Sequence, residues 1–261
     1  MSTRLAHLLV EQFGAVRRIT INNPRKKNAI NLQTYGDLAD QLNEADGDPG
    51  VNVVVLTGAG DFYSSGNDIS AVLSSNQSME EKLETSHKTL RRMVTAFYSF
   101  SKLLIGVLNG PAIGISATTA VLCDVLYMEE KAYLYTPFTG LGLVAEGCSS
   151  YTFPKLMGRS KASEMLLLNH RMSSEEALRF NVVSEVYRGR EEFEKILWPR
   201  ILQYGKLPIG SIQASKELMR KFEISELQAA NEREIEALSR RWQTEEAIEA
   251  VMNFATRKSK M

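Results

Sequence analysis

The sequence predicts an α/β protein: a mostly parallel sheet with helices packed outside it, followed by a helical last third. Three observations carry this. Short β-branched or aliphatic runs end in glycine, VNVVVLTGAG at 51–60 and LLIGVLNG at 103–110; such runs read as strands buried on both faces. Helical spacing separates them, at 32–45 and 78–101. From about residue 148 almost every segment reads as helix. Strands alternating with helices favour a parallel sheet.

The elements follow in order. LAHLLVEQ and VRRITIN within 5–21 read as two strands around a turn at Phe13-Gly14, with His7 on the first. NNPRKKNAI at 22–30 is a loop by its Asn and Pro content. Leu32, Tyr35, Leu38 and Leu42 share one helix face. GDPG at 47–50 is a turn. After the strand at 51–60, DFYSSGNDIS is a loop, and 78–101 is a long amphipathic helix. GISATTAVLCD reads as a helix opening at Gly114, and DVLYME and AYLYT read as strands. Helices are expected at 148–157, 159–168, 173–180, 190–204, 208–222, 225–241 and 244–256, with VVSEV at 182–186 extended. Ser173 and Glu176 form a capping box.

Composition excludes several functions. Of 261 residues, 31 are Lys or Arg and 31 are Asp or Glu, so the net charge is zero. That gives no electrostatic case for nucleic acid or an anionic membrane surface. The longest apolar runs are far too short to insert across a bilayer, and the first residues lack a signal-peptide pattern. Cys123 and Cys148 sit in apolar or small-residue segments and read as reduced thiols. Two Cys and three His without ligand spacing argue against a metal. His7, His87 and His170 have no evident Ser or Cys partner, and no GxGxxG or P-loop occurs.

Two loops at strand ends can carry chemistry. Gly66-Asn67-Asp68 and Gly114-Ile115-Ser116 each place backbone N–H groups after a glycine, and two such donors can converge on a developing oxyanion. Each also reads as a plain tight turn. The third element is Glu146 in LGLVAEGCSSY, an acid among apolar and small residues. Desolvation raises a carboxyl pKa and makes it a proton shuttle near neutral pH. The same residue also reads as a first-turn or N-cap glutamate of the helix that follows.

Together these segments resemble the crotonase, or enoyl-CoA hydratase/isomerase, superfamily over essentially the whole chain. The matching pieces are ITINNPRKKNAIN, VVVLTGAGDFYSSGNDIS, NGPAIGIS and TPFTGLGLVAEGCSSYTFPKLMG. SSGND, NGPAIGIS and AEGCSSYTFPKLMG look like the peroxisomal Δ3,Δ2-enoyl-CoA isomerases within it.

The resemblance implies a spiral of ββα units over 1–200 and a helical region at 201–261 that covers the site and builds a trimer or dimer of trimers. It implies an oxyanion hole from the N–H groups of Asn67 and Ile115, and substrate contacts at Ser65, Gly66, Asn67, Asp68, Ile69, Gly114, Lys27 and Ala29. Arg25, Lys26 and Lys27 are candidates for coenzyme A phosphates, or else a solvated basic turn. The two hydratase acids fall on Thr118 and Phe138, the residue after Pro137, and are therefore absent. Glu146 takes the position of the single isomerase base.

The substrate is then a fatty acyl-CoA, with no cofactor beyond the coenzyme A it carries, in fatty-acid β-oxidation. The same region in non-catalytic, chromodomain-linked relatives carries Asp at that position, so an inactive acyl-CoA-binding module is the alternative reading. The terminal Ser-Lys-Met reads either as a solvated basic tail or, with the resemblance, as an address for a peroxisomal import receptor. The location implied is the peroxisomal matrix.

Overall fold

The computed structural model of the chain describes residues 2–68 and 79–259. β1 (Ser2–Arg4) and β2 (Leu8–Phe13) lead into β3 (Val16–Ile21), then α1 (Leu32–Gly47) and β4 (Val53–Gly58). α2 (Met79–Ser99) precedes β5 (Leu103–Leu108), β6 (Ala112–Ile113), α3 (Ile115–Ala120), β7 (Val125–Glu129) and β8 (Tyr133–Tyr135). α4 (Ser149–Leu168), β9 (Arg171–Ser173), α5 (Ser174–Arg179) and β10 (Glu185–Tyr187) follow. The rest is α6 (Gly189–Glu192), a π-helical stretch Phe193–Leu197, α7 (Trp198–Tyr204), α8 (Ile209–Arg220), α9 (Ile224–Trp242) and α10 (Glu245–Ser259).

Among the described residues the strands form two sheets. The larger has the order β1-β2-β3-β4-β5-β7-β10, and the smaller is β6-β8-β9. Pairing is parallel from β3 through β10, with Val53 opposite Leu103 and Ile105 opposite Val125. β1 to β3 are antiparallel, as the short turn at Phe13-Gly14 requires.

The unbroken VVVL run has a direct physical reason. Val54 and Leu56 face the main core with Ile19, Leu104 and the helices α1 and α2. Val53 and Val55 face a second core with Val16, Ile105, Val107, Leu197 and Ile201. The central strand is wet on neither side, so it cannot alternate with polar residues. α7 and the π-helical stretch supply the second cover, with Phe193 and Trp198 packed against it.

Some boundaries differ from expectation. The helix at Gly114 ends at Ala120 instead of running to Asp124. Turn hydrogen bonds from Leu122 to Thr119 and from Cys123 to Ala120 end it, because the chain must redirect into β7. Val182 and Val183 are not extended; their N–H groups wrap back onto the Ala177 carbonyl, and the strand is Glu185–Tyr187. His7 lies in a bend before β2. The expected break between 157 and 159 is real: Gly158 has φ 78 and ψ 156 inside α4.

Asp124 ties α8 to the sheet. It accepts from the Leu104 N–H at 2.8 Å and Lys216 Nζ at 2.6 Å, and Arg220 lies 3.3 Å away. All three side chains are largely buried. Removing one partner of a buried pair strands the other charges, so Asp124→Ala is expected to lose about 3–5 kcal/mol. A lowered urea midpoint would show it.

Candidate active site

The first loop is built from asparagines. Asn28 is fully buried; its amide donates to the carbonyls of Ala59 at 2.8 Å and Phe62 at 2.7 Å, and its oxygen accepts from the Asn23 N–H. Asn109 accepts from the Gly58 N–H at 2.9 Å and donates to the Gly60 carbonyl at 2.7 Å. These bonds fold 58–62 into a fixed turn, so that the chain enters Tyr63–Asp68 in one register. Ile30 then pairs with it: its N–H donates to the Gly66 carbonyl at 2.8 Å, and its carbonyl accepts from the Asp68 N–H at 2.8 Å. Neither asparagine was singled out by sequence reasoning. The available signal was an Asn at the end of each apolar or basic run.

The second loop is fastened to the first. The Ser64 N–H donates to the Pro111 carbonyl at 3.2 Å, and the Ile113 N–H donates to the Ser64 carbonyl at 3.0 Å. Ser116 Oγ donates to Ser64 Oγ at 2.6 Å, Ser64 Oγ donates onward to the Asn28 carbonyl, and Ser64 Oγ accepts from the Gly66 N–H. A Cβ on Gly66 would lie 2.5 Å from the Ile113 carbonyl oxygen, so only glycine allows this approach. Gly66 also has φ +80.

Between these bonds two backbone donors are left over. The Asn67 N–H and the Ile115 N–H have no partner among the described residues. Ile115 opens α3, where Gly114 is the N-cap at φ 59 and ψ −130; a first-turn N–H has no acceptor within its own helix. Ile115 is buried, where an unpaired backbone donor is uncommon, whereas Asn67 is exposed. Two such donors on contacting loops can hold one oxyanion.

Glu146 sits against the second loop. A Cβ on the neighbouring Gly147 would lie 2.3 Å from Thr118 Oγ1 and 3.0 Å from Ile115 Cδ1. The Glu146 segment therefore packs directly on the helix that presents the Ile115 N–H. Its carbonyl accepts from Ser149 Oγ at 2.8 Å. Enough protein surrounds the carboxyl to push its pKa up to about 8, chiefly by burial and then by the charge of Glu234. Part of the residue is still reached by solvent. Glu146 is not the N-cap of α4; Cys148 is.

Two neighbours were not anticipated as site residues. Tyr35, on α1, is buried, and its phenol is pushed well up by burial and then by the Glu146 charge. Glu234, on α9, accepts from the N–H groups of Cys148 at 2.7 Å and Ser150 at 2.8 Å. A signal for Glu234 existed: it falls within the buried stripe Leu227, Ala230, Asn231, Ile235 and Leu238, where an acid is out of place.

The expected contact residues are distributed unevenly. Ser65 is half-buried, and its N–H donates to the Lys27 carbonyl at 2.9 Å. Ala29 is buried beside it. Asp68 is nearly buried and pairs with Lys26 Nζ at 2.9 Å. Lys27 stands over the Phe62 ring, and Arg25, Lys26 and Lys27 form one exposed basic turn. Thr118 and Phe138 are buried. Ile69 lies outside the described residues, as do Lys260 and Met261 of the Ser-Lys-Met terminus.

Spiral strands, paired loops and an enclosed acid define a class, and comparison with known proteins agrees. The chain belongs to the enoyl-CoA hydratase/isomerase family, whose family model matches residues 11–260. It is 46% identical over 254 residues to enoyl-CoA delta isomerase 2 of Rattus norvegicus, covering 97% of this chain and 64% of that one. The chain thus spans less than two thirds of that relative. It is 40% identical over 253 residues to peroxisomal enoyl-CoA delta isomerase 3 of Mus musculus, covering 97% of this chain and 79% of that one. The fold matches the crystal structure of an enoyl-CoA hydratase/isomerase from Pseudoalteromonas atlantica T6c with a TM-score of 0.87 at 29% identity, over 96% and 97% of the two chains.

Proposed function

We propose that the protein is a Δ3,Δ2-enoyl-CoA isomerase that moves a 3-ene of a fatty acyl-CoA to the 2-trans position. The observation that carries this reading is a desolvated glutamate, Glu146, whose segment packs on the helix that presents one of two N–H groups without a partner among the described residues. Glu146 takes a proton from C2, and the C2–H electrons form a dienolate with its charge on the thioester oxygen. The N–H groups of Asn67 and Ile115 hold that charge. As the carbonyl re-forms, the C1=C2 pair moves to C2=C3, and the C3=C4 pair takes the proton from Glu146 at C4. No atom is gained or lost.

Hydration needs a second acid to place a water. Thr118 and Phe138 occupy the positions where the family's hydratases carry theirs, and Thr118 Oγ1 donates to the Ile115 carbonyl at 3.1 Å. Glu234 does not substitute, because both its oxygens are taken by backbone donors and it is only 5% exposed.

Coenzyme A is the substrate's handle in this reading, and the exposed basic turn at Arg25–Lys27 suits its phosphates. The pathway is fatty-acid β-oxidation in the peroxisome, a location that the mouse relative's name supports. Assembly into trimers is supported by exposed apolar side chains at the end of α8, Leu218, Met219 and Phe222.

The test is direct. Purified protein mixed with 3-enoyl-CoA of several chain lengths should generate the conjugated 2-enoyl thioester, followed by ultraviolet absorbance. Binding without turnover at every chain length would overturn the isomerase reading in favour of an acyl-CoA-binding module.

A further inference from the structure

α4 begins without a cap of its own. Its N-cap, Cys148, has a left-handed backbone at φ 63 and makes no capping bond from its side chain. α9 supplies what is missing. Glu234 accepts from the Cys148 N–H with one oxygen and from the Ser150 N–H with the other. One helical face away in sequence, the Leu227 carbonyl accepts from the Cys148 thiol at 3.3 Å. Glu146 lies two residues before the point so held.

We propose that Glu234 is a positioning residue for Glu146: it occupies the Cys148 and Ser150 N–H groups at the start of α4, so that the Glu146 carboxylate cannot turn back onto them. An open helix N-terminus attracts and stabilises a nearby carboxylate, which would weaken it as a base. Glu234 removes that attraction and adds a like charge beside the base.

Charges around the pair agree. Facing Glu146 are Tyr35 from α1 and Glu234 from α9, and the buried thiol of Cys148 faces Glu234. Among the described residues no cation is found to act on Glu146. Burial raises Glu234 too, but the Ser150 and Cys148 donors and then the Arg233 charge pull it back. Two backbone donors favour the charged form of Glu234, whereas burial and the Glu234 charge favour the protonated form of Glu146.

The catalytic consequence rests on the isomerase reading; the carboxyl titration does not. Glu234→Gln keeps the shape and removes the charge. In the free protein, the carboxyl infrared band that disappears in Glu146→Gln should titrate about one pH unit lower or more in Glu234→Gln. The acid limb of kcat/KM should move by the same amount, and its high-pH plateau should fall about tenfold, since a weaker base abstracts more slowly. KM should stay within about threefold, because Glu234 is turned away from substrate. Glu234→Asp, which keeps the charge, should titrate near wild type.

An unmoved Glu146 band in a folded Glu234→Gln protein overturns the proposal. So does a loss of rate equal at all pH values, which would mark Glu234 as merely structural. Absence of turnover in wild type with the band shift present would overturn the isomerase reading and leave the positioning of Glu146 standing.

Discussion

Glu146→Gln is expected to lose isomerisation by about 10²–10⁴-fold or more, the range that a positioned general base supplies. Acyl-CoA affinity, read by calorimetry, should barely change, because Gln keeps the shape and the two N–H donors are untouched. The loss should therefore fall on kcat. The same substitution should raise stability at alkaline pH. The Glu146 pKa is about 8 in the folded protein against an ordinary 4.5. Between those values the folded chain holds a proton that the unfolded chain has released, so wild-type stability falls as pH rises through this window. Gln has no proton to lose. The variant should melt with wild type near pH 4 and above it at pH 9, by on the order of 2 kcal/mol once the residual solvent contact of Glu146 is discounted. A variant less stable than wild type at pH 9 would mean that the carboxylate is not desolvated, and the account of its basicity would fail. Function and stability pull in opposite directions at this position.

Gly66→Ala is expected to cost about 10²–10³-fold in kcat, the usual effect of losing one oxyanion donor. Its Cβ would sit 2.5 Å from the Ile113 carbonyl oxygen, and its φ is +80. Backbone cannot yield cheaply, so the two loops must separate, and the Asn67 N–H moves with them. Gly114→Ala makes the comparison sharp. There the nearest atom, Phe138 Cε1, is 4.0 Å away, but φ 59 with ψ −130 is a glycine conformation. It should cost about 1–3 kcal/mol of strain with less loss of rate. Single-turnover rates and urea midpoints, measured together, separate the two. Equal rates for wild type and Gly66→Ala would show that the Asn67 N–H does not touch the reacting oxygen.

Legibility followed the range of the interactions. The buried strands at 53–58 and 103–108 were readable because burial on both faces leaves an uninterrupted apolar run. The glycines at 66 and 114 were readable because a sharp turn after a strand has few other solutions. Glu146 stood out because an acid among Leu, Val, Ala and Cys contradicts its neighbours. The helix after Gly114 was read too long, because Val121–Cys123 are apolar whether the chain stays helical or turns toward β7.

By itself, the sequence determined the class of fold and singled out two glycine loops and one acid as a candidate site, since each is written in local pattern or in a motif read along the chain. It could not say what surrounds that acid. Glu234 reaches Cys148 across 86 residues, and Tyr35 comes from the far end of the chain; neither position shows along the chain what it faces. Asn28 meets Phe62 across 34 residues. Charge and desolvation depend on which atoms lie within a few ångströms, whatever their place in the chain. The tertiary structure alone decided that two N–H groups stay without a partner among the described residues, that Glu146 is crowded by a second carboxylate, and that this second carboxylate is held by the N–H groups at the start of a helix.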